Sequence, residues 1–301
     1  MSSAPPTLAI VVIVRAPQDS PTAVLAALAD QIAPGHAEIV LVDGREQTAP
    51  KAERPAPGVR RLLAPGLNMP MLKARGVVAT TAPMIAFLEP KAVPRDGWAA
   101  ALLAAVSANP GAALGGVVTF AGDCTAVDQA AFIFEYADFS AAQLIRGTTT
   151  DLPGNNMVLP RVALVEYCND ILADEGLNKP FCQARLVAAG VRLQMVPDMA
   201  VAMTTHHRLS QLLRSRAGYA RCFGGVRVAL ANRTRRWVYR TGAPAVPLLV
   251  LKRHLAATRR AETGARRFGT LPVLTALCLA WAAGEITGYW CGPGNACKNL
   301  Y

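Results

Sequence analysis

Seven consecutive apolar residues, Leu8–Val14, five of them β-branched, constrain this 301-residue chain more than any other segment. The run has no polar alternation, so both of its faces must be buried, as in a parallel strand covered by helices on each side. The segments after it fit that demand. Ser20–Gln31 continues with helical spacing (Val24, Leu25, Leu28, then Ile32), with Ser20 placed as an N-cap before Pro21. Glu38–Val42 and Val59–Leu63 read as strands, Met69–Ala79 as a helix, Met84–Leu88 as a strand, Gly97–Ser107 as a helix and Ala113–Phe120 as a strand. Alternating strands and helices imply an α/β fold of βαβ units around a mainly parallel sheet. Ligands of such sheets sit beyond the carboxyl ends of the strands, which directs attention to the loops after Val14, Val42 and Leu88.

Downstream the pattern loosens. Phe132–Ile145 reads as helical, Pro153–Pro160 as a loop and short strand, Pro180–Gly190 as a helix stopped by its glycine, and Arg192–Val196 as a strand. From His207 onward the chain reads as helices broken near Gly224-Gly225 and at Pro244 and Pro247. The last apolar run, Leu271–Ala283, is about 13 residues. A membrane span takes ~20, so the run is expected to be re-entrant, interfacial or a core helix. Charge divides the chain further: residues 1–200 carry about −3 and residues 201–301 about +14 of the net +11. Nucleic acid, anionic lipid and plain solvent all suit a basic stretch. The flanking apolar runs and the absence of zinc-finger or RNA-binding signatures favour lipid headgroups and set nucleic acid aside. The seven cysteines are scattered without a CxxC pair, which points to reduced thiols in a cytosolic setting. No secretory signal is read at the N-terminus.

The order of short motifs then becomes specific. Leu8–Val14, Glu38-Ile-Val-Leu-Val-Asp-Gly44, Lys73-Ala-Arg-Gly76, Ala86-Phe-Leu-Glu-Pro-Lys91 with Pro94-Arg-Asp-Gly-Trp98, Leu114-Gly-Gly-Val117, Gly154-Asn-Asn156, Asn178-Lys179 with Arg185-Leu186 and Gly190, and His206-His207 succeed one another along nearly the whole chain. In this order they resemble the family 2 glycosyltransferases, which carry the nucleotide-sugar-binding α/β domain called GT-A. The tail Gly284-Glu-Ile-Thr-Gly-Tyr289 with Gly292-Pro-Gly294 is similar to one seen in membrane-associated members. The resemblance implies a GT-A domain over residues 1–206 and a basic helical C-terminal region with apolar segments over 207–301.

The same resemblance assigns roles. Asp43, Lys73, Glu89 and Lys91 fall at nucleotide-binding positions, and Asn155, Asn156 and Trp98 on the acceptor side. Transfer from a nucleoside diphosphate creates an anionic leaving group. A divalent ion on an aspartate pair neutralises it, and a carboxylate deprotonates the acceptor. Here the aspartate pair aligns with Glu89 and Lys91. Glu89 can donate one oxygen to Mg2+ or Mn2+. A protonated Lys91 cannot ligate an ion, although it can act as a point charge on phosphate. The base position aligns with Asn178-Lys179, neither a carboxylate, which leaves Asp174 and Glu175 as stand-ins. The implied function is transfer of a sugar from a nucleotide-sugar to a lipid or glycan acceptor at the cytoplasmic face of a membrane. The alternative is a non-catalytic homologue that scaffolds a protein partner or binds glycolipid.

Overall fold

In the computed structural model of the chain, residues 7–33, 35–45, 57–121, 124–140, 147–174, 176–204, 206–258 and 269–299 are described. Glu175 and the end of the expected 132–145 helix lie outside them. The chain forms two compact units, Met1–Thr119 with Leu144–Thr204, and Phe120–Gln143 with Thr205–Tyr301.

The first unit is built on one sheet. Its strands are β1 (Leu8–Val14), β2 (Glu38–Asp43), β3 (Val59–Leu63), β4 (Met84–Leu88), β5 (Ala92–Pro94), β6 (Ala113–Phe120), β7 (Gly147–Thr149), β8 (Asn156–Pro160) and β9 (Leu193–Met203). The order is β3-β2-β1-β4-β8-β6-β9-β5, with β7 on β9. The parallel arrangement expected from the sequence holds across β3, β2, β1 and β4. Beyond β4 the sheet is mixed: β8 runs antiparallel to β4 and β6, and β5 and β7 run antiparallel to β9. Every residue of β1 is buried, as an unbroken β-branched run requires.

The helices of this unit are α1 (Thr22–Gln31), α2 (Met69–Ala79), α3 (Trp98–Ala108), α5 (Arg161–Asp174) and α6 (Lys179–Ala188). The N-cap of α1 is Pro21, without a side-chain cap, and the Ser20 hydroxyl is instead 2.9 Å from that of Thr22. Helix α2 is capped by Asn68, whose side chain accepts from the Met71 N–H at 2.9 Å. A Cβ on Gly76 would fall 2.4 Å from Val11 Cγ1, so the glycine lets α2 lie close on β1 and sets where Lys73 emerges. Helix α5 fills a stretch that the sequence pattern leaves unassigned. Leu164, Cys168 and Ile171 bury one of its faces at helical spacing, while the exposed Val162 and Val165 blur the period.

The second unit is helical: α4 (Ala126–Tyr136), α7 (Leu209–Leu230), α8 (Arg233–Gly242), α9 (Val246–Thr258) and α10 (Thr270–Cys291). Its core joins Ala130, Ile133, Leu212, Leu274 and Leu277. Helix α7 runs unbroken through Gly224-Gly225, correcting the expected break. These glycines admit the neighbouring backbone: a Cβ on Gly224 would lie 2.6 Å from the Glu285 carbonyl oxygen, and one on Gly284 2.1 Å from that of Ala217. The final helix has 22 residues rather than about 13, and by length and composition it is long and apolar enough to cross a membrane. Cys222 and Cys297 form a disulfide, which corrects the expectation of seven reduced thiols. The remaining five cysteines are free.

Candidate functional site

The chain leaves β1 for β2 on one side and returns through β4 on the other, so the topological switch point, where α/β sheets take their ligands, lies beyond the carboxyl ends of β1 and β4. At the end of β2, Asp43 is 1% exposed. Its Oδ1 accepts from the Arg45 backbone N–H at 3.1 Å and Arg45 Nε at 3.0 Å, and its Oδ2 accepts from Arg45 Nη2 at 2.9 Å and from Arg61. Burial alone would raise this carboxyl. The hydrogen bonds from Arg45 and Arg61 outweigh it and hold Asp43 below its ordinary 3.8. The expected contact from Asp43 to a base therefore has competition, because these donors occupy the lone pairs of both oxygens. Arg45 also donates to the Asp19 carbonyl at 3.2 Å, tying the β2 end to the loop after β1.

At the end of β4 the two positions aligned with the aspartate pair are each engaged in an ion pair. Glu89 Oε1 lies 3.1 Å from Lys73 Nζ, which also donates to the Gly154 carbonyl at 2.8 Å. Lys91 Nζ lies 3.6 Å from Asp19 Oδ1. Lys73 is 6% exposed, and its ammonium is held by these oxygens. Asp19 and Arg45 are site residues that sequence reasoning missed. Asp19 gives no strand-end signal, and Arg45 follows the Asp43-Gly44 strand end without a motif of its own.

The antiparallel register Leu88↔Asn156 delivers the Gly154-Asn155 loop to the same end of β4. Lys179, the first residue of α6, reaches this loop. Its Nζ donates to Asp151 Oδ1 at 2.7 Å and to the Leu152 carbonyl at 2.9 Å. A Cβ on Gly154 would lie 3.4 Å from Lys179 Cδ and 3.6 Å from Lys73 Nζ, so both lysines flank that glycine. Asn155 is 1% exposed. Its Nδ2 is 3.0 Å from Met203 Sδ, and its Oδ1 has no hydrogen-bond partner among the described residues. Asn156 and Trp98 turn inward: Trp98 Nε1 donates to Asn156 Oδ1 at 3.0 Å, while Asn156 Nδ2 donates to the Val117 and Met199 carbonyls. In this arrangement both serve the core. Asp174 ends α5 in solvent, and the structure does not bring it to the lysines. The carboxylate that Lys179 does meet is Asp151, at the start of the loop carrying Gly154 and Asn155, and it was invisible in the sequence because it precedes the motif. His206 and His207 belong to the second unit, where the His207 N–H donates to Asp128 Oδ1 at 2.6 Å and His206 Nδ1 is 3.3 Å from Oδ2.

This donor set does not fit a resident divalent ion. Among the described residues no three His, Cys, Asp or Glu side chains converge. Glu89, the one carboxylate of the aligned pair, already faces an ammonium. What the arrangement offers instead is fixed positive charge. Among the described residues, Arg15, Arg45, Arg61, Lys73, Lys91 and Lys179 stand with Asp19, Asp43, Glu89 and Asp151 along these strand ends and loops, so these cations outnumber these carboxylates by two.

No family model and no curated protein sequence matches the chain. Among solved structures it is similar to the mannosyltransferase PcManGT from Pyrobaculum calidifontis in complex with GDP-Man and Mn2+, with a TM-score of 0.59, 16% identity, and coverage of 96% of this chain and 88% of that one. It is also similar to GalNAc-T7 with UDP, GalNAc and Mn2+, at a TM-score of 0.50 and 11% identity, over 68% of this chain and 45% of that one. The mixed sheet, its β1–β4 switch point and these likenesses agree: the chain has the GT-A fold of the glycosyltransferases.

Proposed function

We propose that the protein binds a nucleotide-sugar beyond the carboxyl ends of β1, β2 and β4 and transfers the sugar to a lipid or glycan acceptor at the cytoplasmic face of a membrane. The observation that carries the reading is the excess of cations where a GT-A fold receives its donor, on the β1–β4 switch point. The base moiety sits by Asp43 and Arg61, and the diphosphate by Lys73 and Lys91. The acceptor approaches the Gly154-Asn155 loop. There Asp151, whose side chain is 45% exposed, is the carboxylate placed to take the acceptor proton.

A specific observation favours a second reading, that of a non-catalytic homologue binding a sugar nucleotide or glycolipid for a protein partner. Lys179 holds the position aligned with the base, and it neutralises Asp151 at 2.7 Å. Calorimetry with a panel of UDP-, GDP- and CMP-sugars tests the shared part, and one of them is expected to bind at micromolar to millimolar concentration. If none binds at millimolar concentration, the donor site is misread. With a donor in hand, release of nucleotide in the presence of membrane extract separates the two readings. Transfer that Asp151→Asn abolishes while donor affinity is kept supports the enzyme. Donor binding without any turnover supports the non-catalytic homologue.

A further inference from the structure

We propose that two ammonium groups of the chain, those of Lys73 and Lys91, take the place of a divalent ion at the donor diphosphate, so that the nucleotide binds without metal. The inference rests on the donor-site reading above and deepens it. The neighbouring mannosyltransferase and GalNAc-T7 structures contain Mn2+. In this chain the end of β4 carries Glu89 and Lys91, each already in an ion pair.

Three observations carry the proposal. First, Lys73 Nζ is fixed between Glu89 Oε1 at 3.1 Å and the Gly154 carbonyl at 2.8 Å. A cation is thus already fastened to the carboxylate that a metal would need. A divalent ion on Glu89 would stand beside this buried ammonium, and 6% exposure leaves Lys73 little room to move away. Second, Lys91 is two residues further on, its side chain 41% exposed, and it is anchored by Asp19 at 3.6 Å. That pair is long enough to give way to phosphate oxygens, which bind an ammonium as a point charge. Third, the described residues of the strand ends already carry more cations than carboxylates. A diphosphate fits that excess, and an added divalent ion would raise it.

The placement is specified by the fold. Gly76 seats α2 against Val11 and so fixes the root of Lys73. The β4–β8 register brings the Gly154 carbonyl to its tip. Asp19 is itself held: its Oδ2 accepts from the Ala16 N–H at 3.0 Å, and its carbonyl accepts from Arg45. The Lys73 ammonium is therefore set before ligand arrives, with Lys91 kept close by Asp19, and such pre-organisation favours binding.

The test is calorimetric titration of the full-length protein with UDP and GDP, once with EDTA and once with Mn2+ or Mg2+. The expected result is an affinity that changes less than about threefold between the two conditions. Lys91→Met is expected to weaken binding by at least about tenfold, the loss of one charge-assisted contact. Lys91→Asp adds a third carboxylate to Glu89 and Asp19, and it is expected to make binding depend on Mn2+. Wild-type binding that requires Mn2+ overturns the inference while leaving the donor-site reading standing. Binding in neither condition by a protein with an intact melting transition overturns both. Lys91→Met that binds as tightly as wild type in EDTA overturns the role given to Lys91.

Discussion

The two oxygens of Asp43 hold together three segments: the end of β2, the Arg45 loop and the Arg61 side chain of β3. Removing one partner of a buried ion pair leaves its charge uncompensated, which costs about 3 kcal/mol. Asp43→Asn, equal in size, is expected to lose about that much in denaturant melts at pH 7. The pH dependence comes from the depressed carboxyl. In the unfolded chain Asp43 titrates near 3.8, and in the folded protein lower. Its contribution is therefore complete above pH 3.8 and disappears as pH falls through the folded value. Wild-type stability should drop across that window, and Asp43→Asn should drop less. Asp128 keeps some of the slope in both, because hydrogen bonds from Thr125 and His207 outweigh its burial and depress it too. A strand ending in aspartate before Gly44 is legible in the sequence. Its arginine partner on β3 is not. Arg61 is 18 residues away, and it reaches Asp43 through the register Asp43↔Leu63, which puts residue 61 on the same face as residue 63. The Lys73–Glu89 and Lys179–Asp151 pairs were hidden for the same reason: each joins two elements whose separate motifs look unrelated.

At the scale of elements, the strands of the parallel half were legible to within a residue, because unbroken or alternating apolar runs report their own burial. The antiparallel half, β7 to β9, was less so, since Pro153–Pro160 and Arg192–Val196 are short signals completed by pairing. The largest misreading concerned glycine. Gly224-Gly225 is a breaker by local propensity, yet α7 and α10 pack backbone to backbone there, and close packing outweighs the entropic penalty. The same helix pair supplies a matched test. A Cβ on Gly284 would lie 2.1 Å from the Ala217 carbonyl oxygen, whereas one on Gly218 of α7 meets nothing within 4 Å. Gly284→Ala is expected to destabilise the protein by about 1–3 kcal/mol, the cost of over-packing against a backbone that cannot yield. Gly218→Ala is expected to stabilise it by about 0.5–1 kcal/mol, the helix preference of alanine over glycine. One chemical change with opposite signs, read from melting curves, isolates the close approach from propensity. Equal effects of the two substitutions would mean that the helices do not meet where Gly284 sits.

For the molecule as a whole, the dominant asymmetry is one of charge and apolar surface. Residues 201–301 carry about +14, and they also hold most of the large exposed apolar side chains. Helix α8 buries none of its residues, and it presents Arg233, Arg235, Arg236 and Arg240 together with Trp237 and Val238, which are 58% and 61% exposed. On α9, Leu248 and Leu249 are 69% and 61% exposed. On α10, Leu279 and Trp290 are each 56% exposed, with the Arg240 guanidinium 5.7 Å from the Trp290 ring. Arginines beside exposed tryptophan and leucine suit the interface of an anionic leaflet, where each basic residue contributes ~1 kcal/mol and apolar side chains add burial. Helix α10 also belongs to the core of its own unit through Leu274, Leu277 and Cys278, so removing it would unfold what the test needs intact. Point substitutions avoid this. Full-length protein is expected to co-sediment with phosphatidylserine-containing vesicles, to bind neutral ones weakly, and to release as salt rises past the screening range of surface charges. Trp237→Ser with Leu248→Ser and Leu249→Ser should lower vesicle binding several-fold at constant salt without shifting the melting midpoint, since these side chains are exposed. Arg233→Glu with Arg236→Glu should remove the preference for anionic lipid. Recovery of the wild type and both variants in the supernatant to the same extent would leave the arginines solvated and would remove the membrane from the proposed function, with the GT-A domain unaffected.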